Sequence, residues 1–528
     1  MINSMINALK KITNKIIKQG SRRENQIVLM ILIILLQPIL DLDYLMYPFL
    51  NQLGIPLPST FFYFILMPLA VLLVFIFVEK NKRKVFILGS VYLLIVVVYT
   101  ALHHLVVKDM FELLYLTNRY VYTLSEEVRY IITLIIPLGL VYAFYRTELN
   151  TRIVIKVATL SSILIAWPIF LSNLFVYGPA TYYDGPVQAN FITWFFGAYE
   201  QFHPKFLTTQ FFFSEGNTTG IILFAILPVL TFAFFQSQKR FFYTIVLFIH
   251  GWAMYVLATR VATYGVVLMI GTTLILWLIL VLLKKETFDL KGFAILLTLV
   301  VMFVAALPYT PAIRNIDIDN RNDLAVFEDE YLREQFKSEL DSGNLIPGTA
   351  EFNYFYENIF RNYYWFLTLP DIYYKWYYPY QIDPKFYVDL IFEVDFWDRK
   401  SGRQFQQIFF DYKWKNLNDS QKFFGFGYSR FMMGSILLEQ DFAMQKYTLG
   451  YLGTTILTFP WLMMVLGMAF VAFKKIKKIL NFELAVLAMA VVALIGGAYL
   501  SGHVLDQFFS STFLAFFVGT LLVRLRDA

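Results

Sequence analysis

The chain has 528 residues, of which 58% are apolar, 19% aromatic and only 16% charged, and 44 Lys and Arg against 38 Asp and Glu leave a net charge of +6. A soluble protein carries about 25% charged residues to clothe its core. This chain cannot supply such a shell, and its apolar residues run in stretches near the roughly 20 needed to cross a bilayer. With no cysteine, disulfides, thiolate metal sites and cysteine nucleophiles are excluded. Five histidines without HExxH-type spacing give no reason to expect a metal centre.

In chain order, the first 25 residues are basic, with Lys10, Lys11, Lys15, Lys18, Arg22 and Arg23, and no small-residue cleavage site follows. They read as a cytoplasmic interfacial helix rather than a signal peptide. Apolar spans are predicted near 26–41, 60–78, 85–105, 129–145, 153–176, 219–235, 241–257, 261–283, 292–308, 449–473, 483–500 and 504–523. The links that would be cytoplasmic are short and basic: EKNKRK at 79–84, RTELNTRIVIK at 146–156, Lys239–Arg240, KKETFDLK at 284–291, KKIKK at 474–478 and the tail at 524–526. The positive-inside rule then puts both termini in the cytoplasm, and charge spent on such links leaves little case for nucleic acid.

The alternate links are longer and aromatic. Residues 177–218 form one outer loop, and 309–447 form a far longer segment than a plain connection, with helical spacing in DLAVFEDEYLREQFKSELDSG. No internal repeat is visible, which weakens an inverted-repeat transporter reading. The fold class expected is an all-α polytopic membrane protein of about twelve transmembrane helices, with one large, mainly helical extracytoplasmic segment between spans 9 and 10. Its parts are 1–25, a membrane domain at 26–308, the segment at 309–447, and a second membrane portion with the tail at 448–528.

Three places carry candidate chemistry. Arg260 sits between two apolar runs at the expected outer face, where a guanidinium either snorkels or meets an anion. Its bidentate fork suits phosphate, and Thr259 and Thr263 flank it with hydroxyls. The stretch FFGFGYSRFMMGSILLEQDFAMQKYTLGYLG at 423–453 closes the large segment. Gly425 and Gly427 read as a loop before a helix; Glu439 and Asp441 fall just before the next span, either as a solvated acidic helix end or as a general base raised toward working pH in a partly dry cleft. Arg430 lies on the same stretch. Finally, SEGNTTG at 214–220 opens a span, where Ser214, Asn217 or Thr218 can cap and the helix start suits a diphosphate. His503, His103, His104 and His250 are given no role.

Together these segments resemble the O-antigen ligase and O-unit polymerase superfamily of membrane glycosyltransferases, over roughly residues 205–523. FFFSEGNTTG resembles the family's span-opening motif, with Gly216 where proline is common. Ala258-Thr259-Arg260 resembles its Thr-x-Ser-Arg-like motif, with Thr259 in place of serine. LLEQDFAMQKYTLGYLG resembles its closing segment, with Gly450 and Gly453 as the Gly-x-x-Gly-like helix start and with Glu439 and Asp441 where many members have histidine.

The resemblance implies a GT-C-like fold and transfer of a glycan from an undecaprenyl-diphosphate carrier to a hydroxyl acceptor on the outer face of a bacterial cytoplasmic membrane. The reaction would be inverting, need no metal and take no cofactor. Arg260, Thr259, Arg430 and Asn217 would hold the diphosphate, Asp441 or Glu439 would act as base, and Tyr363, Trp365, Tyr373 and Trp376 would offer faces to sugar rings, unless they are an interfacial aromatic belt. Polymerase and ligase stay open. The Ile/Lys/Asn/Phe-rich composition favours a capsule or wall polysaccharide as the glycan. The rival readings are a lipid-linked oligosaccharide flippase and a non-catalytic envelope-assembly scaffold.

Overall fold

A computed structural model of the chain describes residues 22–110, 122–320, 323–343, 345–346, 349–369, 373–428, 438–475 and 480–528. Among these the chain is all-helical, and the one β-type contact is an isolated bridge between Pro179 and Pro186. Ten helices are long and apolar enough to cross a membrane, or up to twelve when each of two bent pairs counts as one span. The basic N-terminal helix expected at 1–25 falls mainly outside the described residues, as does most of the KKIKK link.

The chain divides into two compact units. The first takes the residues up to Tyr92, Ile132–Asn315 and Trp461–Ala528. The helices in chain order are α1 (Arg22–Leu35), α2 (Met67–Val78), α3 (Lys82–Met110), α4 (Leu124–Thr147), α5 (Thr151–Leu174), α6 (Gly216–Gln236), α7 (Arg240–Leu257), α8 (Arg260–Leu282) and α9 (Leu290–Ala306). They continue with α10 (Pro311–Asn320), α11 (Asp323–Asp341), α12 (Ala350–Tyr363), α13 (Pro384–Glu393), α14 (Gly402–Lys415) and α15 (Asp419–Phe424). The last four are α16 (Asp441–Leu457), α17 (Phe459–Lys474), α18 (Phe482–Leu500) and α19 (Phe508–Asp527).

In the first unit α6 is the central post, packed on α5, α7, α8, α18 and α19. Its apolar window is 89% buried, as is that of α19, against 11% for α3; the first two are core and the third is largely exposed. Because lipid is as apolar as leucine, close helix packing rests on small residues. A Cβ on Gly497 would come within 2.8 Å of Ile221, and one on Gly519 within 2.6 Å of Phe144. His250, midway along α7, is satisfied between the Ser162 hydroxyl at 2.7 Å and the Leu223 carbonyl at 2.9 Å. Its role is structural.

One end of this unit gathers its ion pairs. Glu148 is held by Arg23 and Arg526, Glu79 by Arg146 and the Tyr142 hydroxyl, Arg240 pairs with Asp289, and Glu483 joins Arg524 to Thr151. These are the short charged links that the sequence sets apart. At the opposite end, backbone and side-chain bonds tie loop 175–215 to its neighbours: Thr209 N–H donates to the Val256 carbonyl at 3.1 Å, and the Asn173 amide to the Leu207 carbonyl at 3.2 Å.

The second unit comprises Leu93–Ile131 and Ile316–Pro460. Its core is aromatic: Tyr356, Tyr378, Phe386, Tyr387, Phe405 and Phe409 are all buried. A buried pair crosses it, with both Asp329 oxygens accepting from the Arg399 guanidinium at 2.7 and 2.6 Å. Burial holds the Arg399 guanidinium below its usual range despite that partner. Lys413 is likewise pushed down by burial, against the pull of Asp383.

Where the sequence predicts a span beginning near 449, the structure begins the helix earlier, at Asp441, and breaks it at Gly450 (φ 67°, ψ −175°). That backbone region is open essentially to glycine alone. Gly425 lies in the same region (φ 74°, ψ −165°), and the two cross: a Cβ on Gly425 would stand 2.5 Å from the Gly450 nitrogen. The Gly425–Gly427 stretch therefore serves as the strut across the break in α16 rather than as a loop that merely precedes a helix.

Candidate functional site

In the first unit three helices start at the same end. α6 begins at Gly216, α8 at Arg260 and α19 at Phe508. Their starts are locked by close packing: a Cβ on Gly220 would meet Thr259 Oγ1 at 2.6 Å, and the Thr218 hydroxyl lies 3.1 Å from Gln507 Oε1. Each start presents N–H groups without helical partners and the positive end of the macrodipole. Glu215 stands at the cap of α6 and Asp506 just before α19, which leaves the start of α8 as the one best suited to an anion.

Arg260 is the first residue of α8. Ala258 ends α7 in the left-handed region (φ 57°), and Thr259 caps α8, its hydroxyl oxygen accepting from the Ala262 N–H at 3.2 Å. Thr259 is buried and Arg260 exposed. Among the described residues no carboxylate pairs with this guanidinium. Thr259 thus acts on Arg260 by fixing the turn that presents it.

The start of α6 departs from the capping expected of Ser214. Glu215 occupies the cap position, without a side-chain cap bond, and Ser214 instead donates its N–H and hydroxyl to Asp41 at 2.8 and 2.6 Å. The Glu215 carboxylate accepts from the Thr218 hydroxyl at 2.6 Å and from the Gln507 amide at 2.5 Å. His503, nearly buried and itself left-handed (φ 58°), stands 3.3 Å from Asp506 and 3.7 Å from Glu215. Asn217, one residue into α6, is half-buried. Asp41, Glu215 and His503 are thus a network the sequence reading did not assemble. The signal for Asp41 was present, a carboxylate at the end of an apolar run, but its register against residue 214 is a tertiary fact.

The second unit holds the acidic candidates. Glu439 pairs with Arg403 of α14. Asp441 is the first residue of α16 and is buried. Arg430 lies outside the described residues. Further along α16, the carbonyls freed by the break at Gly450 are all met: Phe426 N–H donates to Tyr447 O and Gly427 N–H to Thr448 O, each at 2.8 Å, and the Tyr99 hydroxyl donates to Leu449 O at 2.8 Å. His103 joins them, its Nε2 2.8 Å from the Phe424 carbonyl and 3.2 Å from that of Thr448. Its Nδ1 contacts the fully buried Glu127, which also accepts from the Tyr122 hydroxyl. A buried His–Glu pair on two apolar helices is the kind of intramembrane ionisable group that signals a function or a structural lock; here its partners make it a lock on the strut.

Of the aromatic candidates, Trp365 and Trp376 are exposed, at 78% and 61%, and so present open ring faces. Tyr363 packs edge-on against Phe336, and Tyr373 stacks on Phe405.

The sequence profile of a family described as O-antigen ligase like membrane protein matches residues 23–528. The chain belongs to that family. No curated protein and no solved structure matches it. Family membership makes the protein a multi-pass membrane protein of the glycan ligase and polymerase kind, an enzyme class that acts on lipid-linked envelope glycans.

Proposed function

We propose that this O-antigen ligase-like protein transfers a glycan from an undecaprenyl-diphosphate carrier to a hydroxyl of a polysaccharide or other envelope-glycan acceptor, at the outer face of the cytoplasmic membrane. The observation that carries the reading is Arg260: an exposed guanidinium, without a carboxylate partner among the described residues, at a helix start that packs beside the start of α6. A cation there is poorly placed unless an anion joins it.

In the proposed reaction, Asp441 or Glu439 takes the acceptor hydroxyl proton. The acceptor oxygen forms a bond to the anomeric carbon as the bond from that carbon to the diphosphate oxygen breaks, and the electron pair leaves with the diphosphate. Configuration inverts. Arg260, with the helix start bearing Asn217, offsets the growing charge, so the leaving group requires neither a general acid nor a divalent cation. Thr259 positions Arg260. Trp365 and Trp376, with Tyr363 and Tyr373 beside them in sequence, offer stacking surfaces to the glycan.

The test is reconstitution in vesicles with native undecaprenyl-diphosphate-linked repeat units, products being resolved by gel and mass spectrometry. Wild-type protein is expected to give a ladder of repeat lengths or a single acceptor-dependent product, which also separates polymerase from ligase. Arg260→Ala should lose the product, and one of Asp441→Asn and Glu439→Gln should do so while still binding donor. Donor carried across the vesicle membrane without any product would overturn the reading in favour of translocation.

A further inference from the structure

Within the first unit, at the end where the charged links gather, α8, α17, α18 and α19 enclose a groove of about 290 Å³. Its walls are apolar: Leu276 and Leu280 from α8, Met468 and Ala472 from α17, Ala488 from α18 and Leu521 from α19. Val492, on its lining, is 66% exposed, so the groove opens on the surface that faces lipid. An apolar hollow of this size in a close-packed bundle forgoes the dispersion contacts that packed side chains would make. An inserted hydrocarbon chain restores them.

The groove's lip is charged. Lys474 ends α17, about half a turn round the helix from the lining residue Ala472. Lys475 follows, and its ammonium donates to the carbonyl of Leu525, another lining residue, at 3.2 Å. Among the described residues, Arg524 of α19 is already paired with Glu483. Among the described residues neither Lys474 nor Lys475 has a carboxylate partner. Lysines at a membrane surface attract anionic lipid.

We propose that this groove holds one acyl chain of an anionic phospholipid, its phosphate seated at Lys475, with Lys474 at the same helix end adding its charge. The hydrocarbon answers the apolar walls and the phosphate answers the two lysines, which neither a zwitterionic lipid nor an uncharged detergent does as well. The site lies at the opposite end of the first unit from Arg260 and is independent of the transfer reaction proposed above.

The experiment uses the whole protein, purified in mild detergent and stripped of lipid. Phosphatidylglycerol and phosphatidylcholine with identical chains are compared by native mass spectrometry and by the shift in melting temperature. The expected result is one tightly retained phosphatidylglycerol and a melting shift several-fold larger than phosphatidylcholine gives. Ala488→Phe, which fills the groove, and the double variant Lys474→Gln/Lys475→Gln, which leaves the walls intact, should each weaken retention about tenfold. The double variant keeps the test decisive where the groove-filling one fails to fold. Equal shifts from the two lipids, or retention unchanged in the double variant, would overturn the proposal. So would displacement of the phospholipid by undecaprenyl diphosphate, which would give the groove to a polyprenyl tail.

Discussion

At the first position of α8 the Arg260 guanidinium adds its charge to a helix end that already carries roughly half a positive charge. Thr259 spends its side chain on capping that same end, which presents the arginine outward rather than shielding it. In the proposed reaction a diphosphate would relieve that arrangement on binding, and only the part of the interaction that grows with the leaving-group charge would speed the transfer. If the phosphate charge grows in the transition state, Arg260→Ala should lower kcat by about 10²–10³, the scale for losing one preorganised donor. Arg260→Lys should recover part of that loss, because it keeps the charge but not the fork; a single-turnover assay separates this from a KM effect alone. Charge at the opposite end of the unit works on stability instead. Burial alone would raise the Glu79 carboxyl, but the Asn81 N–H, the Tyr142 hydroxyl and Arg146 outweigh it and hold it below 4.5. Burial likewise acts upward on Glu148, and Arg526 and Arg23 outweigh it. A carboxyl with a lowered folded pKa stabilises the protein above its unfolded value and loses that contribution as pH falls through the folded one. Melting temperature should therefore drop on acidification below about pH 4.5, and Glu79→Gln should flatten that drop while costing stability at neutral pH.

On the scale of elements, the break in α16 is the feature with the most backbone committed to it. Gly450 and Gly425 occupy conformations that side chains do not tolerate; Gly450 stands where a Gly425 Cβ would go, and the backbone of Phe423 and Phe424 where a Gly450 Cβ would go. Gly450→Ala combines a strained backbone, of order 1–3 kcal/mol, with a Cβ 2.3 Å from the Phe423 carbonyl oxygen. It should lower the melting temperature sharply. Gly89→Ala, on a helix face with nothing within 4 Å, is the matched control and should be neutral or stabilising by up to about 1 kcal/mol. Hydropathy foretold the long helices because a span's length and composition are set by the bilayer itself. It could not foretell the break: Gly450 and Gly453 read as a helix start, and only the Gly425 strut, with His103 meeting the freed carbonyls, shows why the helix yields there. The same limit applies to Asp41 and Glu127. Each is visible as a carboxylate at the edge of an apolar run, but its partners, Ser214 and His103, lie 173 and 24 residues away. The place of Arg260, by contrast, was legible from the sequence: a cation between two apolar runs marks a helix end, and the structure puts it at the first position of α8.

For the whole molecule, the orientation argument rests on the links. The charged residues 79–84, 146–156, 284–291 and 474–478 belong to one set of connections, and the aromatic loop at 177–218 to the other. In the first unit ion pairs join 79–84, 146–156, Glu483 and the tail into one group, and Arg240 to the 284–291 link in a second, so within each group the links share one membrane side. On the positive-inside rule both groups are expected on the cytoplasmic side. The chain has no cysteine, so each introduced thiol reports without background. Three exposed positions suffice: Lys285 in a charged link, Tyr182 in the aromatic loop and Trp365 in the 309–447 segment. In intact cells whose outer layers admit the reagent, a membrane-impermeant maleimide should label Tyr182→Cys and Trp365→Cys, and Lys285→Cys only after the membrane is opened. The inverse pattern would put Arg260 in the cytoplasm and with it the proposed transfer, since Arg260 follows the span that begins at Arg240 beside Asp289. Labelling of Tyr182→Cys but not of Trp365→Cys would leave Arg260 on the outer face and remove the 309–447 segment, with Trp365 and Trp376, from any glycan bound there.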